Sequence, residues 1–196
     1  MVARSGLDRR AVVAALLRER GRLLVVAGLG SPAYDAFAAG DHDGAFYLWA
    51  AMGGAAMVGL GLAQAQPDRP VLLLTSDGEQ LMGLGALATI GVARPGNLTV
   101  VALDNGHYGE TGMQPSHTSH SVALAAVARG CGFADATTID TMAGVEGLRA
   151  VVHRAKGGPR FATAVIGAEP LPRALPPRDG VLLKNRLRAH LGLPVV

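Results

Sequence analysis

Four short apolar runs, each followed by a stretch of helical spacing, restrict the fold of this chain more than any other feature. Leu23–Ala27, Val71–Thr75, Leu98–Leu103 and Arg160–Ile166 are strand-length and mostly apolar. A strand covered on both faces has this continuous character, whereas a half-exposed strand alternates. Helical periodicity marks Asp8–Arg20, a segment opened by Pro32 and running through Phe37, Ala50–Gln64, Gln80–Val92, Val122–Arg129, Thr141–Lys156 and Gly180–Leu191. Gly21, Pro67 and Pro95 punctuate these segments. A shorter strand is expected near Thr137–Ile139. The alternation predicts an α/β fold, a three-layer parallel sheet with helices on both faces.

A chain of 196 residues holds one well-filled core, so residues 1–196 are expected to form one domain. The Pro-rich stretch Pro170–Pro177 reads as an arm crossing the surface, which makes residues 168–196 an arm and a last helix. With 49% hydrophobic and 17% charged residues the chain is globular. The net charge of +3 is spread over Arg4–Arg10, Arg18–Arg22 and Arg173–Arg188, and aromatics make up 4%, which argues against a nucleic-acid surface. Cys131 is the only cysteine, so an internal disulfide is impossible, and its setting at a helix end reads as an inert thiol packing into the core. Met1–Gly6 has no apolar run behind it, and the Gly-laden Leu48–Ala65 falls short of the ~20 residues of a membrane span. The expectation is a cytoplasmic protein that contacts neither membrane nor nucleic acid.

In a parallel sheet, ligands gather beyond the carboxyl ends of the strands. Gly28–Ser31, Ser76–Gln80 and Asp104–Gln114 occupy such positions and are rich in Gly and polar residues. In Ser76-Asp77-Gly78-Glu79 a strand delivers a carboxylate to its end and a helix begins just after. Helix starts favour anions, yet Asp77 would repel a diphosphate unless a cation lay between them. Mg2+ takes a protein carboxylate and phosphate oxygens together. Read alone, Asp77 is equally a cap of the following helix. The next strand ends in Asp104-Asn105-Gly106, and its amide and loop carbonyls are the hard oxygens that Mg2+ prefers. Neighbouring parallel strands would bring Asp77 and Asn105 to one edge.

These segments resemble the diphosphate-binding domain of thiamine diphosphate enzymes. The family's Gly-Asp-Gly and Asn-Asn appear here as Ser76-Asp77-Gly78 and Asp104-Asn105, and Asn105-Gly106-His107-Tyr108-Gly109 matches the ending found in decarboxylase members. The resemblance implies Mg2+ ligation by Asp77, Asn105 and the backbone carbonyl of His107. It implies cofactor contacts by Gly28, Met52, Gly53, Asp77, Gly78, Glu79, Asn105, Tyr108 and Gly109, with Met52 as the apolar wedge under a bent cofactor. Glu79, where the family often has Ser, is expected to turn its side chain away and leave its N–H as a phosphate donor. Further carriers are Gly85–Ile90, Pro95–Leu98, Tyr108–Pro115 and Leu124–Ala128. They are most similar to the separate subunits of sulfopyruvate decarboxylase and to phosphonopyruvate decarboxylase.

His42 and His107 fall in loops expected near the cofactor and are candidates for proton transfer. His117 and His120 lie in Ser116–Ser121, read as a mobile stretch placed to close over the site. The resemblance implies decarboxylation of a small 2-oxo acid by thiamine diphosphate and Mg2+, with the cofactor's ring activated by a glutamate of a second, pyrimidine-binding domain. This chain has room for only one of the two domains. The implied active unit is therefore a dimer or hetero-tetramer with a pyrimidine-binding partner chain. A carboligase of the acetolactate synthase kind, or a non-catalytic nucleotide-binding or regulatory subunit of the same fold, remains as an alternative. No third Gly follows Gly28-Leu29-Gly30 to make a dinucleotide fingerprint.

Overall fold

The computed structural model describes residues 6–195, so the opening residues examined above for a leader lie almost wholly outside it. Chain order runs α1 (Arg9–Leu17), β1 (Leu24–Ala27), α2 (Ser31–Ala38), β2 (Ala45–Tyr47), α3 (Ala55–Ala65), β3 (Val71–Ser76), α4 (Asp77–Met82) and α5 (Gly85–Ala93). It continues with β4 (Leu98–Asp104), β5 (His107–Tyr108), β6 (Gln114–Pro115), α6 (Leu124–Gly130), β7 (Asp135–Ile139), α7 (Met142–Val152), β8 (Arg160–Val165) and α8 (Gly180–His190). Six strands form one parallel sheet in the order β2-β1-β3-β4-β8-β7, while β5 and β6 make a small antiparallel hairpin beyond β4.

The continuous apolar runs are explained by the two cores. Side chains alternate along a strand, so Leu72 and Leu74 enter one core while Val71 and Leu73 enter the other. The first core lies under α1, α2 and α7, where Val12, Val13, Leu16, Ala33 and Val152 are fully or almost fully buried. The second lies under α3, α5 and α6, with Leu60, Leu87, Ile90, Leu124 and Ala128. Each such Leu or Ile contributes about 1.5–3 kcal/mol by leaving water. This is the expected three-layer arrangement. Cys131 caps the end of α6 and packs, partly buried, against the second core as a free thiol.

Two expectations about the elements need correction, and one strand is added. The helix expected over Ala50–Gln64 begins only at Ala55, because Ala50, Ala51 and Gly53 all take positive φ (58°, 50° and 83°) and form a left-handed turn. The segment before it holds β2, a three-residue edge strand too short to register as a pattern. The helix expected over Gln80–Val92 is two helices, α4 and α5, broken at Gly83. A Cβ on Gly83 would stand 2.0 Å from the Gly53 carbonyl oxygen, so the break is where the two loops touch backbone to backbone.

The Pro-rich arm carries no helix or strand between Pro170 and Pro177. It is held by the Trp49 indole N–H, which donates to Pro177 O at 2.8 Å, and by Arg178 stacked 5.2 Å over the Trp49 ring. Arg173 lies over Tyr34 and pairs with Glu110 at 3.3 Å. Beyond the arm, Leu183 of α8 returns to the first core. Among the described residues no helix is long and apolar enough to cross a membrane.

Candidate functional site: a cleft at the carboxyl ends of β1, β3 and β4

The register of β3 on β4 pairs Ser76 with Leu103, one step short of Asp77 and Asp104. Asp77 and Asn105 are thereby brought to the same edge, as the strand spacing requires. They border an open cleft, together with Leu29, Ser31, Met52, Gly78, Tyr108, Gly109 and Glu110. His107 and Glu79 also line it. Met52 is 42% exposed and so is a wall of the cleft, not core filling.

Asp77 is 1% exposed, and its two oxygens differ. Oδ2 accepts from the Ser116 hydroxyl at 2.5 Å and lies 3.3 Å from the Thr118 hydroxyl, whereas Oδ1 is buried with no hydrogen-bond partner among the described residues. Burial pushes the carboxyl up to about 6, with Asp104 pushing the same way and the Ser116 hydroxyl opposing. An orphaned carboxylate oxygen in a cleft, held against its own ionisation, is the donor chemistry a divalent cation satisfies. Asn105 Oδ1 accepts from the His107 N–H at 2.9 Å and keeps a second lone pair. His107 pairs with Pro115 at a non-hydrogen-bonded position of the hairpin, flanked by the Ser116 N–H to Gly106 O bond, so the His107 carbonyl points away from β6. Among the described residues no three His, Cys, Asp or Glu side chains converge as a metal cage, so a cation here would rely on amide, carbonyl and ligand oxygens.

Glu79 departs from expectation in one respect. Its side chain does turn inward: it is 3% exposed and Oε2 accepts from the Thr75 hydroxyl at 2.9 Å. Burial pushes this carboxyl up to about 7, opposed by Thr75 and by the Ala55 and Gly53 amides. The N–H, however, is not left over for a phosphate, because it donates to the Ser76 hydroxyl at 3.2 Å as part of the helix cap. With only six residues in α4, the helix start contributes less to anion binding than its position suggests.

The glycines divide by role. A Cβ on Gly28 would stand 1.8 Å from Glu79 Oε2, so Gly28 makes room for that carboxyl behind the cleft. Gly53 serves the left-handed turn and the contact with Gly83. On Gly78 a Cβ would meet the Tyr108 ring at 2.7 Å, so the ring of Tyr108 lies on its bare face. Gly109 borders the cleft directly.

His42 must be moved. It precedes β2, hydrogen-bonds the Gly44 N–H at 2.9 Å and packs edge-on against His190, at the amino-terminal edge of the parallel sheet. That is the edge opposite the cleft, so His42 is not a proton-transfer residue there. His107 stays at the cleft, with Nδ1 2.9 Å from Asn105 O. The stretch Ser116–Ser121 is no open flap: Ser116 is fully buried, Thr118 is 9% exposed, and His117 Nδ1 lies 2.9 Å from the Tyr108 hydroxyl. Ser116 and Thr118 are the site residues that sequence reasoning missed. Small hydroxyl side chains after a hairpin carry no signal of what they will bond.

Residues 37–166 match the family described as "Thiamine pyrophosphate enzyme, C-terminal TPP binding domain". The chain is 39% identical over 115 residues to the sulfopyruvate decarboxylase subunit beta of Methanocaldococcus jannaschii, covering 59% of this chain and 61% of that one. It is 44% identical over 126 residues to the phosphonopyruvate decarboxylase of Streptomyces viridochromogenes, covering 64% of this chain and 31% of that one. Both matches thus leave more than a third of the relative's own length uncovered. The crystal structure of benzoylformate decarboxylase from Polynucleobacter necessarius superposes with a TM-score of 0.67 over 85% of this chain and 34% of that one. At 17% identity it speaks for the fold alone. With about two thirds of its length inside the family match, and the parallel sheet and strand-end cleft in place, this chain belongs to the C-terminal TPP binding domain family of thiamine pyrophosphate enzymes.

Proposed function

We propose that this chain is the Mg2+–thiamine diphosphate-binding subunit of a 2-oxo acid decarboxylase, completed by a separate pyrimidine-binding chain. The observation that carries the reading is the buried Oδ1 of Asp77, without a hydrogen-bond partner among the described residues, on a residue that lines the cleft together with Asn105. Asp77, Asn105 and the His107 carbonyl would hold the cation, and the cation would in turn hold the diphosphate. The β1–α2 loop at Leu29 and Ser31 forms the facing wall, and Met52 offers an apolar support for the cofactor's rings. Thiamine diphosphate would supply the carbanion chemistry at the keto carbon of the substrate. The Glu79 carboxyl, bonded to the Thr75 hydroxyl, is no phosphate ligand, and its neutral form is the one that burial favours.

Similarity to relatives named as a sulfopyruvate decarboxylase beta subunit and as phosphonopyruvate decarboxylase supports a 2-oxo acid with a second anionic group as substrate. The subunit naming supports a partner chain, as a dimer or hetero-tetramer, which would bring the activating glutamate. Calorimetry with thiamine diphosphate plus Mg2+, NAD plus Mg2+ and ATP plus Mg2+ tests the cofactor: heat from the first alone is expected, and heat from NAD or ATP instead overturns it. Strong turnover of 2-oxo acids by the isolated chain would overturn the partner requirement.

One observation favours a second reading, a non-catalytic subunit of the same fold. Ser76 and Glu79 between them consume a helix-start N–H and place a second carboxyl close behind the cleft. Asp77→Ala in the reconstituted complex separates the two, since unchanged activity would mean an idle site.

A further inference from the structure

The two buried carboxylates at the strand ends are joined by a pair of hydroxyls. Ser116 Oγ donates to Asp77 Oδ2 at 2.5 Å, and Thr118 Oγ1 donates to Asp104 Oδ1 at 2.7 Å. The two hydroxyl oxygens are 2.9 Å apart. Ser116 is fully buried, and Asp77, Asp104 and Thr118 are 1%, 4% and 9% exposed. The same short segment is tied to the turn that carries Asn105. The Ser116 N–H donates to Gly106 O at 2.8 Å, and the Gly106 N–H donates to Asp104 Oδ1 at 2.9 Å. Gly106 has φ +73°, and a Cβ there would stand 2.4 Å from the Ser119 hydroxyl, so the clip closes only over glycine.

We propose that Ser116 and Thr118 are positioning residues that hold Asp77 by Oδ2 and so present Oδ1 alone to the divalent cation. The inference rests on the cofactor reading above and adds the ion preference of the site. A carboxylate with one oxygen already bonded is a one-oxygen ligand. Mg2+ requires compact octahedral coordination by such ligands, while Ca2+ takes two oxygens of one carboxylate readily. Freed from Ser116, Asp77 could swing and bite with both oxygens, which would cost Mg2+ more than Ca2+. The clip also makes Asp77 and the Asn105 turn one unit, so both protein side chains reach the cation in fixed relation.

The test uses the full chain with thiamine diphosphate saturating. Mg2+ and Ca2+ are titrated separately, and the metal concentration giving half of the full thermal shift is read for each. Ser116→Ala and Thr118→Val should raise the Mg2+ midpoint about tenfold, in the range found when a partner of a metal ligand is lost. The Ca2+ midpoint should move about threefold or less. Thr118→Ser, which keeps the hydroxyl, should bind Mg2+ within about threefold of the parent. A purely structural role would move both metals by one factor. Equal shifts for Mg2+ and Ca2+, or Mg2+ midpoints within twofold of the parent in both Ser116→Ala and Thr118→Val, overturn the proposal. Absence of any metal-dependent shift in the parent chain overturns the cofactor reading and the proposal together.

Discussion

Gly83→Ala tests whether the contact between two loops sets the shape of the cleft. Gly83 has φ −105° and ψ 34°, which alanine adopts without strain, so any penalty comes from contact alone. The added Cβ would stand 2.0 Å from Gly53 O and 2.9 Å from Gly53 C. A carbon and a carbonyl oxygen settle at about 3.3 Å, so the two backbones must part by roughly 1.3 Å. Neither partner is the far end of a flexible side chain, and the strain falls on the turn that carries Met52. Overpacking of this kind costs about 1–3 kcal/mol. Gly85→Ala is the control two residues on. A Cβ there meets nothing within 4 Å, and the site is exposed and helical, so alanine should stabilise by about 0.5 kcal/mol through the unfolded chain. Urea unfolding followed by circular dichroism should rank Gly85→Ala above the parent and Gly83→Ala below it. Affinity for Mg2+–thiamine diphosphate should drop in Gly83→Ala only. A Gly83→Ala protein as stable as Gly85→Ala would refute the reasoning.

Three other outcomes are expected. Asp77→Asn removes a buried carboxyl pushed up to about 6, so the metal-free chain should become more stable at pH 8 while its thermal response to Mg2+–thiamine diphosphate disappears; a response equal to the parent's would clear Asp77 of metal binding. For Glu79 the folded carboxyl lies at about 7 against 4.5 in the unfolded chain, so native stability is full below pH 4.5 and falls as pH rises through 7, by about 3 kcal/mol. Glu79→Gln should flatten that fall in the metal-free chain, and an unchanged slope in denaturation between pH 5 and 8 would contradict it. Phe161, fully buried and edge-on to Phe133 at 6.1 Å, should cost about 3–5 kcal/mol when cut to Ala, read as a lower urea midpoint at unchanged slope.

The strands that carry the site were legible because a strand covered on both faces must be apolar at every position. Val71–Ser76 and Leu98–Asp104 meet that condition along their cores, and their ends then had to place Asp77 and Asn105 at one edge. Three-residue β2 was not legible, since Ala45–Tyr47 is an edge strand with no room for a pattern. His42 looked like a site residue because a loop residue before a strand and one after it have the same local composition. Only the direction of β2 tells the two edges apart, and it places His42 against His190, away from the cleft.

What the sequence determined by itself is therefore the layered α/β fold and the Asp77–Asn105 pair, both consequences of local periodicity and of parallel strands sharing an edge. The tertiary structure alone decided which atoms of that pair are available. Gly28 is bare because the Glu79 carboxyl, fifty-one positions later, fills its space. Asp77 has Oδ2 bonded and Oδ1 not because Ser116, thirty-nine positions later, donates to Oδ2 alone. Hydrogen bonds and close contacts between residues so far apart have no period in the chain, and they exist only once packing has brought the partners within reach.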